Sequence, residues 1–217
     1  MTVDEIKRFF DYLGNKVQSG TLQVSAFNLA MQRANMEFFN KVYADFQATQ
    51  KITDDLLPFL KPLKTIVPST GIFTYPSDYV HLSAIGAYYV PPDGGEAYMV
   101  PIDNVKNSEW NDRQSSQLVK PTLRFPAMTQ YDMYMEFLPR NQSFFIQFDY
   151  IRQPVNPVWA YTIVNNRPVY DAANSVQLEV GDDNHNEIVM MMASFLGMNI
   201  RENELIQYSE LKEKSGV

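Results

Sequence analysis

The stretch that decides the fold is YDMYMEFLPRNQSFFIQFDYIRQP, residues 131–154. Its apolar side chains recur at every second position, first at Met133, Met135 and Phe137 and then at Phe144, Ile146, Phe148 and Tyr150. Successive side chains of a strand lie on opposite faces of a sheet, so a period of two gives each strand one apolar face. The stretch therefore predicts two β-strands, which the segment LPRNQS joins as a hairpin.

The same alternation extends over the chain from about residue 71 to about residue 180. IFTYP, HLSAIGAYYV and EAYMVPI are predicted as strands, with PPDGGE as the turn between the last two. A later β section contains VWAYTIVNNRPVY and SVQLEV, in which Asn165 and Asn166 suit the positive φ angles of a tight hairpin. Between these sections, residues 104–120 are predicted as a polar loop.

Helical spacing of apolar residues replaces this alternation at both ends of the chain. A first helix is expected from a capping box at Thr2 and Glu5 to about Gly20, and a second from about residue 25 to residue 50. The second helix has two apolar stripes, which is typical of a helix covered on two sides. A short third helix is expected over residues 53–60, because polar residues can cap it and prolines prevent a longer one.

The order of helices, then strands, then helices predicts an α+β fold. We expect residues 1–70 to form N-terminal helices, residues 71–180 a central antiparallel β-rich module, and residues 181–217 C-terminal helices. The N- and C-terminal helices most simply pack together as one helical bundle from which the β module projects.

Composition excludes some classes of protein and disfavours others. The chain of 217 residues has no cysteine, so disulfide frameworks, thiolate nucleophiles and zinc–cysteine sites are ruled out. Its net charge of -7 is spread along the sequence, which disfavours non-specific binding to DNA and to anionic membranes. The apolar stretches are too short to span a bilayer, and the start, MTVDEIKRFF, does not have the order of a signal peptide. We therefore expect a soluble chain that is not exported.

The stretch GDDNHNE near the C-terminal end concentrates residue types that bind metals. Asp182, Asn184 and Asn186 match the first ligand positions of an EF-hand loop. However, Glu187 stands where that loop needs glycine, and Ala193 where it needs a bidentate acid. A capping box formed by Asn184 and Glu187 explains the stretch better, as the start of a helix. We therefore predict no metal ligand in this stretch.

No catalytic arrangement is evident in the sequence. It contains no G-x-S-x-G elbow and no Gly-rich phosphate loop, and two histidines leave little room for a Ser–His–Asp triad. Paired carboxylates stay open, with Asp78, Glu109 and Asp112 as the nearest candidates, although a solvated loop acid is the simpler interpretation of each. We therefore predict that the protein is not an enzyme and has no catalytic residue, cofactor or metal.

Three stretches form a set: GIFTYPSDYVHLSAI, FFIQFDYIRQPVNPVWAY and NSVQLEVGDDNHNEIVMMMASFLGMNIRENELIQYSELK. Together they resemble the ring, or head-to-tail connector, proteins in the neck of short-tailed phages, particularly the crAss-like phages of Bacteroidetes. The resemblance covers most of the chain from residue 71 onward. Its sharpest part runs from SVQLEV to LGMNIRENELIQY.

The resemblance implies a structural virion protein that assembles as a closed ring beneath the portal. A dodecameric ring, of about twelve copies, is expected from matching the portal's symmetry. The implied partners are the portal or an adjacent neck ring on one side and tail proteins on the other, with no membrane. Genomic DNA would pass through the ring without specific binding, which the negative charge favours. The implied location is the neck or tail of the virion, and the host cytoplasm during assembly.

Two groups of residues are the expected contacts with neighbouring subunits or other partners. One lies on the second stripe of the second helix and the other on the terminal helix: Met36, Phe39 and Tyr43, and Leu205, Tyr208 and Leu211. Residues 104–120 are expected to order on assembly.

Two alternative functions stay open. The aromatic residues of the β module, with Trp159 or Trp110 as the residues to test, could bind a carbohydrate. A stopper or a tail-fibre adaptor would keep the virion setting but change the position of the protein in it.

Overall fold

The computed structural model describes residues 1–16, 22–49, 51 and 53–197, without the side chains of residues 15 and 16. In these ranges the chain has a mixed α+β fold, as expected. The α-helices are α1 (Val3–Lys16), α2 (Val24–Thr49), α3 (Trp110–Ser115) and α4 (His185–Phe195). The strands are β1 (Leu60–Val67), β2 (Ile72–Thr74), β3 (Tyr79–Tyr89), β4 (Tyr98–Pro101), β5 (Asp103–Asn104), β6 (Ala127–Gln130), β7 (Tyr134–Leu138), β8 (Phe144–Arg152), β9 (Tyr161–Val164) and β10 (Arg167–Tyr170).

The chain divides into two compact units. The helical unit contains the described residues of Met1–Pro58 and those from Pro154 onward, with α1, α2, α4 and the β9–β10 hairpin. The β-rich unit is Phe59–Gln153, with α3 and strands β1 to β8. The division into residues 1–70, 71–180 and 181–217 stays a prediction beside these two units.

The β-rich unit is built on two four-stranded sheets, in the orders β1-β8-β3-β4 and β2-β7-β6-β5. All neighbouring strands are antiparallel except β5 and β6. The inner faces share one apolar core, in which Phe73 of β2 contacts Phe148 of β8 edge to face, with ring centroids 5.1 Å apart. Burial of each large side chain here stabilises the fold by about 2 kcal/mol. The two central strands contribute Met135 and Phe137 from β7, and Phe144, Ile146, Phe148 and Tyr150 from β8.

The alternation is confirmed within β7 and β8, but Met133 lies before β7 and is 72% exposed, and the expected hairpin is wrong. β7 and β8 belong to different sheets. Both edges of β8 are already paired, one with β1 and the other with β3, and β7 pairs instead with β2 and β6. The segment LPRNQS therefore carries the chain from one sheet to the other, and it does not turn the chain back on its own strand.

Two further expectations about local structure are wrong. Residues 53–60 do not form an α-helix, because a single 3-10 turn at Leu57–Phe59 leads directly into β1. β1 tolerates Pro62 because it is an edge strand, where a missing N–H costs least. SVQLEV is not a strand either, apart from one bridge between Val158 and Val176. Its side chains bind elsewhere in the helical unit, since Gln177 accepts a hydrogen bond from the N–H of Val3 at 2.9 Å.

The capping box at the start of α1 is confirmed. The N–H of Thr2 donates to Oε2 of Glu5 at 2.9 Å, and the N–H of Glu5 donates to Oγ1 of Thr2 at 3.2 Å. These two bonds satisfy amides that the first turn of a helix leaves without partners. The expected end of this helix near Gly20 lies outside the described residues.

The long helix α2 is in contact with both α1 and α4. Phe10 of α1 packs edge to face on Phe27, with ring centroids 6.2 Å apart. Lys41 pairs with Glu187 of α4 at 2.5 Å. The ring of Phe10 covers Phe27 on one apolar stripe of α2, and on the second stripe Phe39 is buried while Met36 and Tyr43 are half-buried. These contacts do not make a helical bundle of the few helices described, so the bundle stays a proposal.

Gly71 provides a sharp test of the β-rich unit. Its φ is +78°, and a Cβ added to it would lie 2.6 Å from the carbonyl oxygen of Phe137, which is backbone of β7. Gly94 has a similar φ of +80° and open space around its Cα. We expect Gly71→Ala to lower the free energy of unfolding by about 2–3 kcal/mol, and Gly94→Ala by about 1 kcal/mol or less, measured by urea unfolding. Equal losses in the two variants would contradict the close approach of Gly71 to β7.

Candidate functional site

Trp159 fixes the segment that precedes β9 to the N-terminal helices. Its backbone N–H donates to Oδ1 of Asn28 at 2.9 Å, and Nδ2 of Asn28 donates to its carbonyl at 3.2 Å. Its indole Nε1 donates to Asp4 of α1 at 3.0 Å, and the ammonium group of Lys7 lies 5.7 Å from its ring. A single side chain of α2 thus satisfies both backbone groups of Trp159, as a neighbouring strand would.

The β9–β10 hairpin begins directly beyond this anchor. Asn165 and Asn166 at its tip have φ values of 50° and 62°, which confirms the tight turn expected from the sequence. Tyr161 and Tyr170 are paired across the hairpin, and both rings stack on Trp159, with centroids 5.9 and 5.8 Å away. The base of the hairpin is therefore held by aromatic packing.

The outer part of the hairpin is exposed and apolar. Ile163 is 69% exposed, and Val164 and Val169 are also exposed. Within the described residues the sheet has only two strands, so the outer edges of β9 and β10 lack a strand partner there. Sequence reasoning found the hairpin but not this surface. The available signal was that apolar residues occupy both faces next to the Asn–Asn turn, where a surface hairpin usually has one polar face.

The β-rich unit has a groove of about 390 Å³ beside α3, which we call the acidic groove. Its lining includes Asp103, Val105, Glu109, Asp112, Arg113 and Val119. Arg113 pairs with Asp103 at 2.8 Å, and its Nε is buried without a hydrogen-bond partner among the described atoms. The sequence singled out Glu109 and Asp112, and the structure places both carboxylates at this groove.

Next to this groove lies an exposed segment, residues 117–125, which we call the basic loop. Leu118 is 98% exposed and Phe125 is 66% exposed, and both Lys120 and Arg124 are exposed between them. The guanidinium group of Arg124 lies over the ring of Phe125, 5.5 Å from its centroid. The sequence predicted a polar loop over residues 104–120, but the structure adds the short helix α3 and this apolar tip.

The stretch GDDNHNE begins α4, as predicted, but not through the predicted capping box. Asn184 makes no side-chain cap bond and donates instead to Asp55, while Glu187 pairs with Lys41. The amino group of Met1 lies 2.8 Å from Oδ1 of Asp182 and 2.7 Å from Nδ1 of His185. Asp182, Asn184, His185 and Glu187 are thus engaged in contacts within the helical unit, whereas Asp183 and Asn186 are exposed.

The electrostatics of this cluster follow from the burial of His185 and from the amino group of Met1. Burial lowers the pKa of His185, and the positive charge of the Met1 amino group lowers it further. The hydrogen bond from the same amino group lowers the pKa of Asp182. Among the described residues, no group of three or more His, Asp or Glu side chains is arranged to hold a metal ion.

Asp78, the remaining carboxylate candidate, is tied to the sheet that contains β1. Its Oδ1 accepts a hydrogen bond from the hydroxyl of Tyr150 at 2.9 Å, and its Oδ2 lies 3.0 Å from Nζ of Lys61. Burial acts to raise the pKa of Asp78, but the bonds from Lys61 and Tyr150 outweigh it and lower the pKa. These contacts give Asp78 a structural role between β1, β8 and the start of β3.

Both tryptophans are buried. Trp159 is held at its anchor, and Nε1 of Trp110 donates to Glu136 at 3.1 Å. Phe144, Phe148 and Tyr150 lie in the core. The carbohydrate-binding alternative therefore loses both of the residues proposed for its test.

The residues predicted as interface contacts are only partly accessible. Phe39 is 2% exposed, while Met36 and Tyr43 are half-buried. The rings of Phe39 and Tyr43 stack, with centroids 5.9 Å apart. Leu205, Tyr208 and Leu211 lie outside the described residues. A role for either group in an interface stays a prediction.

No family model and no curated protein sequence matches this chain. Within the described residues, no helix is both long enough and apolar enough to cross a membrane.

Asn28 offers a direct test of the Trp159 anchor. Asn28→Ala leaves the N–H and the carbonyl of Trp159 without these partners, so we expect a loss of about 1–3 kcal/mol in the free energy of unfolding. Asn40→Ala removes an exposed amide from the same helix and serves as the control, with an expected change within about 0.5 kcal/mol. Urea unfolding followed by tryptophan fluorescence measures both. Similar stabilities for the two variants would rule out the anchor.

Proposed function

We propose that this protein is a structural subunit of a phage head-to-tail connector, and that copies of it close into a ring in the neck of the virion. The observation that supports this most is the β9–β10 hairpin, which is anchored at its base and apolar at its exposed end. The resemblance of three sequence stretches to neck ring proteins supplies the biological setting. The proposal concerns assembly and assigns no catalytic step.

An isolated two-stranded hairpin is marginally stable in water, and exposed strand edges tend to pair with other chains. Stacking on Trp159 holds the base of this hairpin, but Ile163 and Val169 lie beyond that support. A neighbouring copy that covers them would remove apolar surface from water and give the open strand edges a partner. Repeated from copy to copy, such a contact closes into a ring when the rotation per subunit divides a full turn.

The expected copy number and partners of the ring follow from the symmetry and position of the portal. A ring that matches the portal's symmetry would contain about twelve copies, with the portal or another neck ring on one side and tail proteins on the other. Met36 and Tyr43 on α2 are candidates for such contacts because they are half-buried in the single chain. The net charge of -7 would let genomic DNA pass through the ring without adhering to it.

The first test of the proposal is the assembly state. We expect the purified protein, alone or mixed with a candidate portal protein, to give ring-shaped particles in negative stain, with a mass of many copies by light scattering. A protein that stays monomeric under both conditions would contradict the proposal.

The second test changes the hairpin. Ile163→Asp places a charge on the exposed apolar end, and we expect it to raise the concentration needed for assembly at least about tenfold, which corresponds to about 1.4 kcal/mol. Met133→Asp makes the same change at an equally exposed residue of the β-rich unit and should leave assembly unchanged. Circular dichroism checks that both variants fold. Unchanged assembly of the Ile163 variant would exclude the hairpin as a subunit contact.

A further inference from the structure

The basic loop is held in place although its tip is exposed. Pro121 and Pro126 are buried, and the backbones of Thr122 and Phe125 exchange two hydrogen bonds of 3.2 and 3.0 Å. Phe125 therefore faces solvent from a turn closed by hydrogen bonds, and next to Leu118 the N–H of Val119 donates to Oγ of Ser116 at 3.2 Å. A preorganised segment loses less conformational entropy when it binds, so this loop is suited to docking.

The charge of this part of the chain is opposite to that of the whole. From Arg113 to Tyr131 the sequence has three cations and no acid, in a chain with a net charge of -7. Arg113 is paired with Asp103. Lys120 and Arg124 form no ion pair within the described residues, so both charges are available to a partner.

The acidic groove on the same unit is complementary to this loop in charge, chemistry and size. Glu109 and Asp112 carry carboxylates there that have no ion pair among the described residues. The side chains of Val105 and Val119 add apolar lining, and Nε of Arg113 is a buried donor that lacks an acceptor. A volume of about 390 Å³ is at the lower end of the range for binding pockets, which suits one or two inserted side chains.

We infer that the basic loop of one copy docks into the acidic groove of a second copy, with Leu118 in the groove and Lys120 beside Glu109 and Asp112. When the loop and the groove of one copy engage two different neighbours, the contact is of the head-to-tail kind that a ring requires. This inference rests on the proposed function, since it assigns one contact between ring subunits. The exposed Leu118 and Phe125 favour an acidic protein surface with apolar lining over the phosphates of DNA.

The absence of cysteine from the chain gives a clean experiment. Full-length Leu118→Cys is mixed with affinity-tagged Asn104→Cys, which places one thiol in the groove and leaves its charges intact. After mild oxidation we expect a mixed disulfide species in at least tenfold higher yield than with tagged Val90→Cys, whose side chain is exposed elsewhere on the same unit. Equal yields from the two mixtures, or no mixed species at concentrations where the protein assembles, would overturn the inference.

A charge exchange tests the same contact in another way. Lys120→Glu combined with Arg124→Glu, both in the Leu118→Cys chain, should lower the yield of the mixed species at least tenfold. Asp112→Lys in the groove chain should restore the yield of the mixed species. As a control outside the basic loop, Lys51→Glu should leave that yield unchanged. Loss of yield without this rescue would overturn the ion pairing. Binding to duplex DNA that depends on Lys120 and Arg124, with self-association unchanged, would overturn the inference in favour of a nucleic-acid contact.

Two outcomes distinguish the loop contact from the assembly of a ring. Rings that form without the mixed disulfide would leave the proposed function standing and refute the loop contact. A mixed disulfide in a closed particle of two copies would support the loop contact and contradict the ring.

Discussion

The hydrogen bonds between Asn28 and the backbone of Trp159 are the interaction on which the helical unit most depends. They join a helix from the first quarter of the chain to a segment that follows it by 131 positions in sequence. The indole adds a bond to α1 and provides the surface on which Tyr161 and Tyr170 stack. Without these bonds the backbone of Trp159 would be left unsatisfied in a buried place, and the hairpin would lose its base.

The exposed apolar residues contrast with the well-buried core of the β-rich unit. The β-rich unit buries one face of each sheet in a shared core, and its central strand β8 has partners on both edges. The molecule nevertheless leaves Ile163, Leu118 and Phe125 in water. Each of these residues lies on a backbone that is fixed by neighbouring contacts, so a partner can bind it at a small entropic cost.

Sequence reasoning succeeded where the determining interactions are local. The capping box of Thr2 and Glu5, the alternation of β8, and the turn at Asn165 and Asn166 all depend on residues within a few positions of each other. It failed where the partner lies far along the chain. Nothing in residues 131–154 indicates that β1 and β3 occupy both edges of β8 and leave β7 to another sheet.

The burial of the candidate binding residues also depends on partners far along the chain. The periodicity of α2 indicated that it is covered on two sides, but not that α1 and α4 supply part of the cover. Both tryptophans were plausible binding residues in sequence, yet buried acceptors at Asp4 and Glu136 hold their indole groups inside the units. The exposed end of the hairpin and the basic loop became visible only once burial was known for each residue.

Hydrogen exchange of the backbone amides of residues 161–170 tests the central claim most directly. We compare the free protein with the assembled ring, or with the protein bound to the portal, and use the amides of β8 as an internal reference because they are paired in the single chain. The account predicts that the outward amides of β9 and β10 exchange rapidly in the free protein and become protected on assembly. Rapid exchange at these amides in a fully assembled particle would contradict it.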